Sequence, residues 1–232
     1  MAKTISMPYG FTSTALHTIC IGDDEFAKSE KMTSESGALP DIQKKQVQSD
    51  PISIGERPVV LVGLMGAGKS SVGRRLAAAL DLPFKDADTE IEIASNLSVP
   101  EFFEKHGEAA FRDGERKVIS RLLEGPQHIL ATGGGAYMDE QTRDLISRKA
   151  CSVWLRADLD TLLKRCLKRN TRPLLKTGNP RDILADLMEK RYPVYEEADI
   201  VVESADGPHE LVVSNIVKAL NDYSSPSTIA TC

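Results

Sequence analysis

The sequence predicts an α/β fold: three layers, α/β/α, around a five-stranded parallel sheet. Three observations predict it. Short apolar, β-branched runs alternate with amphipathic helical stretches from residue 58 to residue 222. A glycine-rich segment, Gly63-Leu-Met-Gly-Ala-Gly-Lys-Ser70, stands between the first such strand and the first such helix. A strand–helix–strand alternation requires crossovers, which favour parallel pairing with helices on both faces.

The elements follow in order. Pro58–Gly63 (PVVLVG) reads as a buried strand. Lys69–Leu80 is a helix, with Val72, Leu76 and Leu80 at helical spacing. Phe84–Asp88 reads as a short second strand. Ser98-Val-Pro-Glu101 is a capping box with proline in the first turn; it opens a helix that Gly107 ends. Glu108–Glu124 is another helix, closed by Gly125 and weakened by Gly114 by about 1 kcal/mol relative to alanine. His128–Thr132 is a strand leading into Gly133-Gly134-Gly135, and Asp139 starts a helix. Cys151–Leu155 is a strand with Trp154 in the core. Asp158 caps a helix running to Arg169. Thr171–Pro180 is a polar loop, and Asp182–Glu197 a helix bent or ended by Pro193. Asp199–Val202 is the last strand and Pro208–Leu220 the last helix.

Composition narrows the function. The chain has 232 residues, 41% hydrophobic and 27% charged, an ordinary globular balance able to bury a core without disulfides or a structural metal. Its formal charge of −5 argues against nucleic acid or an anionic membrane as partner. Cys20, Cys151, Cys166 and Cys232 form no CxxC pair, so a zinc site is not expected and the thiols read as reduced. No stretch approaches the roughly 18 apolar residues that span a bilayer. Residues 1–50 have no arginine, no apolar periodicity and many scattered acids, a composition that reads as a disordered extension. They fit neither a transit peptide nor a secretory signal, so a cytoplasmic location is expected. An authentic tail and a translation start at Met32 or later both remain open for this segment. The folded domain is expected over residues 57–223, with 224–232 a loose tail.

The phosphate loop carries the chemistry. Its glycines let the backbone wrap a phosphate without Cβ clashes. Successive N–H groups and the helix N-terminus supply positive potential. Lys69 is suited to the β- and γ-phosphates, and the Ser70 hydroxyl to Mg²⁺. Taken alone, the loop indicates a nucleotide but does not separate kinase from ATPase or GTPase. Asp86 and Asp88, at i and i+2 of the expected second strand, would face one side at the carboxyl edge of the sheet. One carboxylate could hold Mg²⁺ through water and the other orient, or take a proton from, an attacking hydroxyl. Equally, Asp88 could cap the helix that follows. Arg112, Arg172 and Arg191 are candidates for carboxylate or phosphate recognition by their planar forks, and Arg172, in the loop, for charge stabilisation. Gly133–Gly135 is either a plain turn or a close backbone approach to a ligand.

Taken in order and spacing, GLMGAGKSSVGRRLA, DAD, FRDGE, ATGGGA, RPLL and MEKRYPVY closely resemble shikimate kinase over about Arg57–Tyr223. The resemblance implies the fold of P-loop NTPases of the nucleoside monophosphate kinase kind, with a mobile lid. It implies transfer of the ATP γ-phosphate to the 3-hydroxyl of shikimate, in the route to chorismate and the aromatic amino acids. By this matching, Gly66, Ala67, Gly68, Lys69, Ser70, Ser71, Arg165 and Arg172 bind ATP, with Arg165 near the adenine. Ser70 holds Mg²⁺, supported by Asp86 through water. Asp88, Arg112, Gly134 and Arg191 hold shikimate, and Lys69, Asp88 and Arg172 are catalytic. A monomer is the family default. The long acidic N-terminal segment and Ser71, where threonine is commoner, depart from the family pattern. Two rivals stand: another small-molecule kinase such as a gluconate kinase, and a catalytically inert nucleotide-binding relative. The joint presence of DAD, FR, GGG and Arg191 argues against the first, and Lys69, Asp88 and Arg172 together argue against the second.

Overall fold

A computed structural model describes residues 55–168 and 178–224. The expected extension over 1–50, Arg172 with most of the 171–180 loop, and the tail after Ser224 lie outside the described residues. Five strands, β1 (Val59–Val62), β2 (Phe84–Asp86), β3 (Ile129–Ala131), β4 (Cys151–Arg156) and β5 (Ile200–Glu203), form one sheet in the order β2-β3-β1-β4-β5. Every pairing is parallel; Val59 lies between Ile129 and Cys151. Successive strand side chains point to opposite faces. In β1 and β3 every residue is buried, as are the first five of β4, so helices must cover both faces of the central sheet.

The helices are α1 (Lys69–Leu80), α2 (Ala87–Ser95), α3 (Val99–Leu123), α4 (Glu140–Lys149), α5 (Leu159–Leu167), α6 (Pro180–Tyr195) and α7 (His209–Ser224). α1 packs against α7, and α3 against α4. Their starts follow local chemistry. Ser98 and Glu101 complete the capping box of α3, while Asp139 and Asp158 accept from Thr142 N–H and Thr161 N–H to cap α4 and α5. Gly107 breaks α3 as expected, with φ 79° and ψ 173°. Among the described residues no helix is long and apolar enough to cross a membrane.

Several expectations are corrected. β2 ends at Asp86, and Asp88 sits in the first turn of α2. The reason is Asp86 itself: its Oδ1 accepts from Asp88 N–H at 3.2 Å and turns the chain into the helix. Pro180 belongs to α6, capped by Asn179, and not to a loop. Of the two readings of Pro193, ending is corrected: α6 continues to Tyr195, and burial of the Tyr195 ring, 0% exposed, holds that last turn. α7 runs through Tyr223, whose hydroxyl donates to Asp199 Oδ1 at 3.2 Å, and ends at Ser224, which the sequence assigned to the tail.

Leu61, 0% exposed in the central strand, and Ile93, 70% exposed on α2, give a direct check of this layering. Leu61→Ala is expected to cost about 2–5 kcal/mol, a Tm drop of roughly 5–15 °C, and Ile93→Ala less than about 0.5 kcal/mol. Thermal unfolding of both variants tests it; equal, small shifts would mean that Leu61 is not at the core.

Candidate active site

The phosphate loop connects β1 to α1. Gly63, Gly66 and Gly68 have φ of 136°, 86° and 96°, conformations that side-chain-bearing residues rarely adopt. A Cβ on Gly63 would meet Leu155 O at 2.8 Å, and one on Gly66 would meet Cys166 Sγ at 2.9 Å. The loop is therefore pressed against β4 and α5 from behind. Lys69 Nζ donates to the carbonyls of Gly63 at 2.7 Å and Leu64 at 3.1 Å, which folds it over the loop. Ser70 Oγ donates to Asp86 Oδ2 at 2.7 Å, joining the start of α1 to the end of β2.

A cleft of about 710 Å³ opens over the carboxyl ends of the strands, where ligands bind in open parallel sheets. Its floor includes Gly66, Gly68, Lys69, Ser70 and Ser71. One end is lined by Asp88, Val99, Pro100, Gly133 and Gly134, the other by Arg165, Lys168, Asp206, Gly207 and His209. Of the sequence candidates, Gly66, Gly68, Lys69, Ser70, Ser71, Asp86, Asp88, Gly134 and Arg165 line this depression; Ala67, Arg112 and Arg191 do not, and Arg172 lies outside the described residues. Arg112 and Arg191 stand just behind the cleft wall.

That wall is the Gly133–Gly135 loop. A Cβ on Gly133 would lie 2.9 Å from Glu115 Oε1 and 3.0 Å from Asp88 Oδ1. A Cβ on Gly135 would lie 2.5–2.8 Å from the Arg112 guanidinium atoms. Arg191 Nη1 donates to Gly134 O at 2.8 Å, and the Tyr195 hydroxyl donates to the same oxygen at 2.5 Å. Arg191 and Tyr195 are four apart on α6 and so share a face. The crowding falls at Gly133 and Gly135; a Cβ on Gly134 would meet Arg191 Nη1 only at 3.4 Å. Gly133 and Gly135 make room for two carboxylates and a guanidinium.

Glu115 is a site residue that sequence reasoning missed. It is 2% exposed, and its Oε2 accepts from Arg112 Nη1 at 2.6 Å. Its Oε1 is buried with no hydrogen-bond partner among the described residues. The i, i+3 spacing of Arg112 and Glu115 on a helix was the available signal. Burial pushes the Glu115 carboxyl above its ordinary value, with Arg112 pulling it back and Asp88 adding to the rise. Asp88 faces the open cleft and is exposed by surface area, yet protein walls surround it on the other sides. Their desolvation, and then the Asp86 carboxylate, raise its pKa, opposed by Lys69 and Arg112. At the far end, Arg165 Nη1 donates to Ser204 Oγ at 2.9 Å and Nη2 to Ala205 O at 2.6 Å.

Comparison with known proteins agrees with this geometry. The family profile for shikimate kinase matches residues 65–221. The shikimate kinase of Rhodopseudomonas palustris is 59% identical over 171 residues, 74% of this chain and 84% of that protein. The solved structure of Acinetobacter baumannii shikimate kinase in complex with shikimate superposes with a TM-score of 0.68 at 36% identity, covering 71% of this chain and 92% of that one. A gluconokinase from Sinorhizobium meliloti, covering 73% of this chain and 94% of that one, reaches a TM-score of only 0.51 at 19% identity, a likeness of fold alone. Phosphate loop, buried acid–arginine wall and sequence likeness converge: the chain belongs to the shikimate kinase family.

Proposed function

We propose that the chain transfers the γ-phosphate of ATP to the 3-hydroxyl of shikimate, giving shikimate 3-phosphate and ADP. The observation that carries this reading is the gathering of Asp88, Arg112 and Arg191 around Gly133–Gly135, beside a phosphate loop. Shikimate has one carboxylate and three hydroxyls. Two guanidiniums at Gly134 and Gly135 match a carboxylate, and an exposed carboxylate at the cleft matches hydroxyls. Arg112 is held by Glu115 through Nη1 and by Glu108 through Nη2, and Arg191 by Gly134 O through Nη1; with five N–H donors on a guanidinium, each keeps coplanar N–H groups beyond these contacts.

On the donor side, Gly66–Ser71 receive the phosphates and Lys69 supplies a cation to the β- and γ-phosphates. Arg165 lines the end left for the adenine, and Arg172 is assigned to the transferring phosphoryl group on the family likeness. Ser70 Oγ and Asp86 Oδ2, 2.7 Å apart at the cleft floor, are hard oxygen donors of the kind Mg²⁺ takes, Ser70 directly and Asp86 through water. When bound, that ion would neutralise charge on the phosphates. Asp88 orients the acceptor hydroxyl and takes its proton; its environment favours proton uptake. The reading also includes a monomer in the cytoplasm with no nucleic-acid or membrane partner, and residues 1–50 as an appendage to a catalytic domain over 57–223; these rest on family likeness and composition.

An ADP-release assay with MgATP and shikimate, quinate, gluconate, a nucleoside monophosphate or water tests the acceptor. Release with shikimate alone is expected, and turnover of gluconate in its place would overturn the assignment. Asp88→Asn is expected to keep ATP binding within about twofold while lowering kcat by about 10²–10⁴. Near-normal kcat would remove Asp88 from the chemistry.

A further inference from the structure

Ser204 follows the last residue of β5 and is 1% exposed. Its N–H donates to Arg156 O at 2.6 Å, which fixes its backbone to the end of the β4–β5 pairing. Its hydroxyl is used in both directions. It donates to Ala67 O in the phosphate loop at 2.8 Å, a buried bond between residues 137 apart, and accepts from Arg165 Nη1 at 2.9 Å. A serine hydroxyl has a single proton to give, so this arrangement has one direction.

The bond falls where the loop has most freedom. Ala67 lies between Gly66 and Gly68, with φ of 86° and 96°. Glycine has the most conformational entropy to lose, so an unsupported loop would have to be ordered by the nucleotide. In a trans peptide the C=O of residue 67 and the N–H of residue 68 point in opposite directions. Holding Ala67 O toward Ser204 therefore turns the Gly68 N–H the other way, and Gly68 lines the cleft. Arg165 is held by the same hydroxyl, and its Nη1 lies 3.4 Å from Gly66 O and 3.5 Å from Ala67 O.

We propose that Ser204 is a positioning residue for ATP: it presets the Gly68 N–H and the Arg165 guanidinium for the nucleotide without touching it. This rests on the reading that the loop binds ATP, and not on the identity of the acceptor. Calorimetric titration of the full chain with MgATP, alongside steady-state kinetics and thermal unfolding, tests it. Ser204→Ala is expected to weaken ATP binding about tenfold, the size of one buried hydrogen bond, with the KM for shikimate changed less than about twofold. Ser204→Thr, which keeps the hydroxyl, is expected to restore ATP affinity to within about threefold of the parent. ATP affinity unchanged in Ser204→Ala, no recovery in Ser204→Thr, or equal weakening of ATP and shikimate with a lowered Tm would each overturn the role. If the parent binds ATP yet does not phosphorylate shikimate, the acceptor assignment fails and the calorimetric comparison still decides Ser204.

Discussion

The acceptor half of the site depends on a missing atom: no Cβ stands on the loop from Gly133 to Gly135. Glycine is usually explained by backbone conformation, but Gly135 has φ −101° and ψ −15°, which any residue can adopt. The requirement is space. The Arg112 guanidinium occupies the volume a Gly135 side chain would fill, and Glu115 and Asp88 do the same at Gly133. With the side chains this close, Gly134 O receives Arg191 and Tyr195 together. Buried charge is tolerated here because it is paired: Glu115, 2% exposed, meets Arg112 at 2.6 Å.

The donor half uses glycine for the other reason. Gly63, Gly66 and Gly68 take left-handed conformations so that the chain can curl around phosphate. Both halves are placed by one sheet. β1 delivers the phosphate loop, β2 delivers Asp86 and then Asp88, β3 delivers the triple glycine, and β5 delivers Ser204. Neighbouring parallel strands end at the same edge, so residues far apart in sequence meet across one cleft. Ser70 to Asp86 at 2.7 Å closes the join between the halves.

Much of this was legible in the sequence because it is local. The phosphate loop, the Ser98–Glu101 capping box and the Asp139 and Asp158 caps each depend on a few consecutive residues, and each formed as read. Asp86 and Asp88 both line the cleft, but only Asp86 lies in the strand; Asp88 falls in the first turn of α2, and the Asp86 cap decided between strand and helix. Pro193 was read as bending or ending the helix; it does not end it, and the buried Tyr195 lies in the turn that continues past it. Glu115 offered only its i, i+3 spacing to Arg112 as a signal, and the contact of Ser204 with the phosphate loop offered none. A glutamate on a helix and a serine after a strand are ordinary, and only the folded chain brings Glu115 to Gly133 and Ser204 to Ala67.

Gly135→Ala tests the space requirement most directly. The new methyl adopts the existing backbone without strain, but its Cβ would lie 2.5–2.8 Å from the Arg112 guanidinium, so that group is displaced and the buried Glu115 carboxylate is left less well paired, which lowers the Tm. Measured side by side, the variant should show a KM for shikimate raised about tenfold or more, the value of a lost charge-assisted contact, with the KM for ATP near that of the parent. An unchanged KM for shikimate would contradict the account, because Arg112 could then leave its seat on Gly135 without consequence.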